Sequence, residues 1–289
     1  AWESKGFCGQ HGLDNRDPLN DLPPGLIACG REVLNAVLQF IVKVSNQVVD
    51  MSSLDPSHVW EELAASGAVS ASNPASLVLY NGELLSADEM IRWLQDIVHL
   101  NSGQARGKAQ QLLAGEDAEV TNGSDLDEVL MMGRALVEKG AMVGVQTPLL
   151  RKKLLRAAQL VRWLRDVSQV SDGTCRLVCE CFDAVTLSRL ILTDAFLPQY
   201  LNKDAHDLYL TLMADQPFKT RLATAYVETL LPVTQSYAKG FGVAETSMYS
   251  LSVQFLNRST FVNELVAEHR LLETLVNCLL TTLTPGMKS

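Results

Sequence analysis

The segment from Leu77 to Leu94 has the sequence LVLYNGELLSADEMIRWL. Its first four residues are apolar and favour a β-strand, and Asn81-Gly82 directly after them is a turn dipeptide that needs positive φ angles. Ser86, followed three residues later by Glu89, has the spacing of a capping box, in which each side chain satisfies a free backbone N–H at a helix start. Strand, turn and capped helix in this order predict a small α/β unit.

The residues before this stretch predict loop and then helix. Residues 1–25 are polar and rich in Gly, Asp and Asn, as loops are. Leu26 to Val49 carries apolar residues at helical spacing and predicts an amphipathic helix. We therefore expect a helical linker region over residues 26–72, with a short second helix around Val59 to Leu63.

The residues after this stretch complete the predicted α/β unit, which we place at 76–146. A helix is expected over Gln104 to Ala114. Gly115 to Glu128 holds six acids and no base, which favours a solvated acidic loop. One helical turn is expected at Glu128 to Met132, and Arg134 to Val145 predicts a second strand region.

From residue 147 onward the pattern is helical. Thr147-Pro148 begins the first helix, with Thr as N-cap and Pro at the first helical position. Further helices are predicted at Cys175 to Leu192, Lys203 to Met213, Lys219 to Leu230, Ser247 to Phe255 and Ser259 to Leu283. The fold class is thus mainly α, with a helical bundle or solenoid over residues 147–289.

The composition excludes several classes of protein. Apolar residues make up 47% of the 289 residues and charged residues 20%, which is typical of a globular chain. The net charge of -9 argues against nucleic acid as a partner. Because no run of 18 apolar residues exists, we expect no membrane span. Six scattered cysteines suit a reducing compartment, and the chain opens at Ala1 without Met, which predicts a piece of a longer protein.

Cys8 and His11 form the sharpest chemical feature. Thiolate and imidazole are ligands that Zn²⁺ prefers, but a structural zinc site needs four ligands and this pair supplies two. A loop cysteine beside an exposed histidine is the alternative. Cys29, at the start of the first helix, is expected in the core.

The other cysteines and histidines are predicted to have structural roles. Cys175, Cys179 and Cys181 predict buried thiols, and His58, His99, His206 and His269 stand apart from any nucleophile motif. The basic helix from Arg151 to Arg165 holds six cations. Three interpretations remain for this helix. Its cations form a solvated face that covers apolar residues and Trp163, or they pair with the preceding acidic loop, or they bind an acidic partner, calmodulin or a membrane surface.

The opening AWESKGFCGQHG resembles the end of the UBR box, the zinc finger of N-recognin ubiquitin ligases. That box closes with Ala-Trp and then Gly-Phe-Cys-x2-His, which match Ala1-Trp2, Gly6-Phe7, Cys8 and His11. The resemblance implies that residues 1–14 are the tail of a zinc finger and that Cys8 and His11 are its last two zinc ligands. The carboxylates that hold a substrate's N-terminus in the family would lie before Ala1.

Two further stretches support the resemblance. Leu77 to Leu94 and Gly133 to Gly140 look like parts of the ClpS-like domain of these ligases, the second like one of its later strands. In that domain an Asn-Asp pair and a His bind the α-amino group of an apolar N-terminus. Asn81 matches the Asn, or is a turn residue only, but Gly82 replaces the Asp and no His lies between residues 100 and 205. The implied ClpS-like domain is therefore degenerate.

The resemblance implies part of a RING-type E3 ubiquitin-protein ligase of the N-degron pathway. It would recognise basic N-terminal residues of substrate proteins, bind zinc, and meet a ubiquitin-conjugating E2 enzyme through a RING domain outside this chain. A cytoplasmic location is implied, with the nucleus as an addition. A non-catalytic helical scaffold that binds protein partners is the alternative, since the sequence shows no catalytic motif.

Overall fold

A computed structural model of the chain describes residues 17–47, 49–50, 74–80, 86–114, 117–123, 125–141, 143–194, 197–238, 248–256 and 259–283. These ranges hold twelve α-helices and four β-strands, so the prediction of a mainly α fold with a small α/β unit is confirmed. The predicted zinc-finger tail at 1–14, the helix around Val59 to Leu63 and the Asn81-Gly82 turn lie outside the described residues.

The elements follow one another along the chain without a repeat of fixed length. A short 3-10 helix at Pro18–Asp21 precedes α1. The helices are α1 (Pro24–Ser45), α2 (Ala87–Asp96), α3 (Ser102–Leu113), α4 (Leu126–Glu138), α5 (Pro148–Ser168), α6 (Asp172–Cys181), α7 (Ala184–Thr193), α8 (Gln199–Leu212), α9 (Gln216–Ala238), α10 (Met248–Leu256), α11 (Ser259–His269) and α12 (Leu271–Leu283). The strands are β1 (Val49–Asp50), β2 (Ala75–Leu79), β3 (Ala118–Gly123) and β4 (Val143–Gln146).

The strands form one antiparallel sheet in the order β1-β4-β2-β3. In the centre of this sheet, Leu77 of β2 lies opposite Thr121 of β3 and Val145 of β4. We call β2 to β4 together with α2 to α4, residues 75–146, the α/β unit. We call α1 together with α5 to α12 the helical region.

The capping box predicted at the start of α2 is confirmed. The Ser86 hydroxyl accepts a hydrogen bond from the Glu89 N–H at 3.3 Å, and the Glu89 carboxylate accepts one from the Ser86 N–H at 3.3 Å. Asn101 and Gln104 form a second box at the start of α3. Thr147 caps α5, as predicted, because its hydroxyl accepts from the Leu150 N–H at 3.1 Å.

The prediction of an acidic loop over Gly115 to Glu128 is wrong, because β3 occupies its centre. Ala118 and Val120 point into the core, with exposures of 0% and 4%, while Glu119 between them faces the other side of the sheet. This alternation is the period of a strand. The density of charge obscured it, since the two inward residues are small.

The predicted strand region Arg134 to Val145 is also mostly wrong. Helix α4 continues to Glu138, and the chain then reverses at Gly140, whose φ of 90° suits glycine. The Ala141 N–H donates to the Leu136 carbonyl at 3.0 Å and closes the helix end. Only Val143–Gln146 is a strand, so the segment Gly133 to Gly140, which resembled a ClpS-like strand, is helix up to Glu138.

The α/β unit has its own core on the front face of the sheet. Leu77 of β2, Leu94 of α2 and Leu136 of α4 are fully buried there, and they belong to one cluster with the apolar residues of α3 and β3. An antiparallel sheet needs an apolar cover on one face only, and α2 to α4 supply that cover.

The helical region has a second, larger core. Helix α1 packs against α5, α6 and α7, and α5 packs along α8. Phe182 is 1% exposed and makes edge-to-face contacts with the rings of Tyr209 and Phe218, at centroid distances of 6.4 Å and 5.6 Å. Helix α1, which precedes the α/β unit in the chain, thus belongs to the core formed by the helices after that unit.

Two predicted long helices are each divided in two. The stretch Cys175 to Leu192 breaks after Cys181, where Asp183 accepts from the Thr186 N–H at 2.7 Å and caps α7. The stretch Ser259 to Leu283 breaks at Arg270, whose φ of 53° is left-handed. Neither break is marked by Gly or Pro, which are the residues that signal such breaks in a sequence.

Candidate functional site

A cleft of about 490 Å³ lies where the α/β unit meets the helical region. Its volume is within the range of ligand pockets. The back face of the sheet, the end of α3, the start of α5 and the start of α8 line it. The lining residues are Val78, Gln111, Ala114, Asp117, Gln146, Arg151, Pro198, Tyr200 and Lys203.

The back face of the sheet is polar but buried. Ser76 is 3% exposed, Tyr80 7% and Gln146 4%. Buried polar groups need hydrogen-bond partners, and these residues find them on the same face. The Ser76 hydroxyl donates to Glu119 at 2.7 Å, and the Gln146 amide donates to the Tyr80 hydroxyl at 3.4 Å.

Glu119 and Arg151 form an ion pair across the boundary between the two parts of the molecule. Burial raises the pKa of Glu119, but the hydrogen bonds from Ser76 and Arg151 and the positive charge of Arg151 outweigh it, so the pKa lies below its usual 4.5. Glu119 is therefore ionised at neutral pH, and Arg151 ties the start of α5 to β3.

Tyr200 and Lys203 close the cleft from the side of α8. Burial, with the nearby charge of Asp117, raises the pKa of Tyr200 to about 12, so its hydroxyl stays protonated at neutral pH and can donate a hydrogen bond. The Gln111 amide donates to the Asp117 carbonyl at 2.9 Å and steadies the wall formed by the end of α3.

The lining of this cleft carries charges of both signs. Two cations, Arg151 and Lys203, and the carboxylate of Asp117 line the cleft, and Arg151 also pairs with Glu119. Among the lining residues that the structure describes, no Ser, Thr or Cys nucleophile lies beside a histidine base, which is the arrangement that nucleophilic catalysis requires.

The residues that the sequence singled out as site residues lie outside the described part of the chain. This applies to the proposed zinc ligands Cys8 and His11 and to Asn81. Within the described ranges, no group of three or more His, Cys, Asp or Glu side chains is placed to hold a metal ion. The zinc prediction therefore remains a prediction.

The cysteines are placed in part as predicted. Cys179 and Cys181 are buried and Cys175 is half-buried. A hydrogen bond with Cys175 and burial both raise the pKa of the Cys179 thiol, which is consistent with the predicted inert, structural role. The expectation that Cys29 lies in the core is wrong: it is exposed, because α1 turns a different face toward the core, with Leu34, Leu38 and Ile41.

The basic helix divides its cations among several partners. Arg151 pairs with Glu119 of the predicted acidic loop, as one alternative expected. Arg162 and Arg165 pair with Asp204 and Asp207 of α8, at 3.0 Å and 3.7 Å. The two aspartates beside His206 thus hold α8 to α5, and Trp163, expected under the basic face, is 39% exposed.

Little in the sequence signals the residues on the back face of the sheet and around the cleft. Ser76, Tyr80 and Gln146 alternate with apolar residues along β2 and β4, so the pattern alone predicts that they face water. Tyr200 and Lys203 sit in a helix whose partners are distant in the chain. Only the alternation of Ala118, Glu119 and Val120 offered a local signal, through the period of two.

One described helix, α1, is long and apolar enough to cross a membrane, with a mean hydropathy of 1.5 over its most apolar window. A core helix of a soluble protein passes the same test. Five of its apolar side chains are buried in the core of the helical region: Leu34, Leu38, Ile41, Val42 and Val44.

Comparison with known proteins relates the chain to one class, the UBR-type ubiquitin ligases, at low identity. No protein-family profile matches it. The chain is 21% identical over 300 residues to the E3 ubiquitin-protein ligase UBR2 of Homo sapiens, and 20% identical over 291 residues to UBR2 of Mus musculus. Each match covers 96% of this chain but only 16% of the ligase, so the chain spans about a sixth of these relatives.

Proposed function

We propose that this chain is part of an E3 ubiquitin-protein ligase of the N-degron pathway, which binds destabilising N-terminal residues and promotes ubiquitination and proteasomal degradation of the proteins that carry them. The observation that carries the proposal is the similarity to UBR2 along 96% of the chain, together with the Gly6-Phe7-Cys8 and His11 motif that resembles the end of a UBR box. A match that runs through nearly the whole chain is independent of that short motif.

In this proposal, Cys8 and His11 are zinc ligands of the box, and Zn²⁺ serves to hold its loops in place. The residues that would contact the substrate's N-terminus belong to the part of the box before Ala1. We propose basic N-termini as the ligands, because carboxylates pair with cations through strong charge-assisted hydrogen bonds. Catalysis would use a RING domain and an E2 enzyme outside this chain, in the cytoplasm and also in the nucleus.

We further propose that the α/β unit is a ClpS-like domain, residues 76–146, that does not bind apolar N-termini. Gly82 stands where the family has Asp, and a lost hydrogen bond to a charged group costs about 1.5–3 kcal/mol. Asn81 alone would then contribute little to binding. Residues 147–289 would act as a scaffold that holds the recognition and ubiquitin-transfer parts at a fixed distance.

The test is a titration of the full-length protein with peptides that begin with Arg, Leu or acetylated Arg, with and without a zinc chelator. We expect only free Arg to bind, and we expect acetylation or chelation to abolish binding. Cys8→Ala should lose both zinc, measured by elemental analysis, and Arg binding, whereas Cys29→Ala is the matched control because Cys29 is exposed and lies outside the motif.

Other outcomes of this titration have distinct meanings. Binding of the Leu peptide would show that Gly82 is tolerated and that the ClpS-like pocket is active. Failure of all three peptides would reject N-degron recognition and favour the second candidate, a non-catalytic helical scaffold. That candidate is supported by the cleft of about 490 Å³, whose lining offers cations and hydrogen-bond donors to a partner.

A further inference from the structure

A second concave surface lies on the helical region, between the end of α1 and the start of α7. It encloses about 330 Å³, and we call it the basic groove. Its polar lining residues are Gln39, Lys43, Asn46, Gln47, Thr186 and Arg189. The cleft beside the sheet is lined by Asp117 as well as by cations, whereas the described residues that line this groove include no carboxylate.

The two cations of the basic groove have no carboxylate partner among the residues that the structure describes. Lys43 and Arg189 are exposed, and neither takes part in a salt bridge there. The remaining polar groups are three amides and one hydroxyl, all of which can donate hydrogen bonds. The groove is therefore a surface of donors with a net positive charge.

The positive surface continues from the basic groove onto α5. The Lys153 ammonium donates to the Gln47 amide oxygen at 3.4 Å, which joins the two surfaces. Lys152 and Arg156, on the same part of α5, also lack a carboxylate partner in the described ranges. By contrast, Arg162 and Arg165, further along the helix, are paired with aspartates of α8.

A stabilising interaction with a helix dipole accounts for only one of these cations. Lys43 lies in the last turn of α1, where a positive charge interacts favourably with the helix dipole. Arg189 lies in the middle of α7, and Lys152 and Arg156 lie in the first half of α5, where a cation gains nothing from the dipole. Asp183, the N-cap residue before α7, is engaged in capping that helix.

The ligand that matches this surface carries several carboxylates close together over a short length. A protein with a net charge of -9 repels a nucleic acid or an anionic bilayer, whose charge extends far beyond the groove. A short acidic peptide senses mainly the local cations, because charges more than about 10 Å away are screened at 0.1 M salt. Exposed Leu149 and Leu155 beside these cations, at 53% and 48%, add apolar contacts.

We propose that the basic groove, together with the first half of α5, is a docking surface for an acidic segment of a partner protein. Lys43, Arg189, Lys152 and Arg156 bind its carboxylates, and the amides of Gln39 and Asn46 donate hydrogen bonds to it. This function is separate from N-degron recognition and does not depend on it.

The test measures binding of a short fluorescein-labelled polyglutamate peptide by fluorescence anisotropy at low ionic strength. The double variant Lys43→Glu/Arg189→Glu is compared with Arg106→Glu/Lys139→Glu, which lies on the α/β unit. Both change the net charge from -9 to -13, since each replaces two cations by two anions. We expect the first variant to raise the dissociation constant by ~10-fold or more and the second to change it much less.

The further arms of the experiment decide between the ligands. A polyglutamine peptide should not bind, and added salt should weaken polyglutamate binding. The proposal is overturned if the two double variants weaken binding equally, if polyglutamate does not bind, or if phosphatidylserine vesicles or single-stranded DNA bind more tightly than polyglutamate. Thermal unfolding of each variant checks that it is folded, and all four substituted residues lie on the surface.

Discussion

The α/β unit and the helical region bury their apolar surface in different ways. The α/β unit covers one face of its sheet with three helices and turns a polar face toward the helical region. The helical region buries apolar residues from at least nine helices in one cluster. The boundary between them is made of hydrogen bonds, the Glu119–Arg151 ion pair and a cleft. Two apolar cores joined through polar groups are expected to be more independent than one continuous core.

The largest expected effects come from truncating one side chain in each core. Phe182→Ala in the helical region should cost about 3–5 kcal/mol and Leu77→Ala in the α/β unit about 2–5 kcal/mol, since both side chains are fully buried. Denaturant unfolding with site-resolved hydrogen exchange should show each loss mainly in its own region.

The double variant Phe182→Ala/Leu77→Ala sharpens the same comparison. For independent cores the two losses add within about 0.5 kcal/mol. A coupling well above that value would show that the two cores interact energetically across the polar boundary. Leu77→Met, which nearly conserves volume, is the control and should cost less than about 1.5 kcal/mol.

A smaller effect is expected where the back face of the sheet is most tightly packed. A Cβ on Gly144 would lie 2.8 Å and 2.9 Å from two carbon atoms of the Tyr80 ring, which is too close. Because Tyr80 is buried, Gly144→Ala should cost about 1–3 kcal/mol in thermal or denaturant unfolding.

A matched glycine supplies the control for that prediction. Gly107, in the exposed interior of α3, has open space around its missing Cβ, so Gly107→Ala should stabilise the protein by about 0.5–1 kcal/mol through helix propensity. Tyr80→Phe removes the atom nearest to the new Cβ but also the hydrogen-bond partner of Gln146. The double variant Tyr80→Phe/Gly144→Ala should therefore lose less stability than the sum of the two single variants. If Gly144→Ala is neutral, the back face is looser than its burial indicates.

The smallest effects compare an ion-paired carboxylate of each region. The pKa of Glu119 is lowered in the folded state, so its stabilisation is present above the unfolded pKa and is lost as the pH falls through the folded pKa. Burial raises the pKa of Asp204, with Arg162 and Arg165 offsetting only part of this. Asp204 therefore binds a proton more readily in the folded protein than in the unfolded chain. As the pH rises and Asp204 ionises, its contribution to the free energy of unfolding decreases.

The two substitutions are therefore expected to differ in sign. Near pH 7, Glu119→Gln should cost about 0.2–1 kcal/mol, the range of partly exposed ion pairs, and this cost should shrink as the pH falls below the unfolded pKa and through the lower folded pKa. Asp204→Asn should be neutral or slightly stabilising at pH 7. Denaturant unfolding over a pH series measures both, and equal losses in the two variants would contradict the assigned pKa directions.

The sequence predicted elements where the signal is local. The capping box at Ser86 and Glu89 and the Thr147-Pro148 helix start need only contacts within four residues, and both are confirmed. The sequence failed where the decisive contact is distant. β3 is a strand because it pairs with β2, which lies well before it in the chain, and because Ala118 and Val120 then fit into the core of the α/β unit. Six nearby acids concealed that fit.

The candidate site shows the same limit more strongly. Gln146, Arg151 and Tyr200 come from three elements and meet only because α5 and α8 pack beside the sheet. The motif residues that resembled a known family, Cys8 and His11, carry a prediction of chemistry. They do not predict the cleft, because other residues form it.

The amino-acid sequence is enough for the mainly α fold class, for the helix starts at Ser86 and Thr147 and for the resemblance to a ligase family, because each depends on residues close together in the chain. The tertiary structure alone decided which face of α1 is buried, which cations of α5 are neutralised and which remain free. The physical reason is that burial and ion pairing depend on distances of a few ångströms between residues up to a hundred or more positions apart. Chain order does not fix those distances, but packing does.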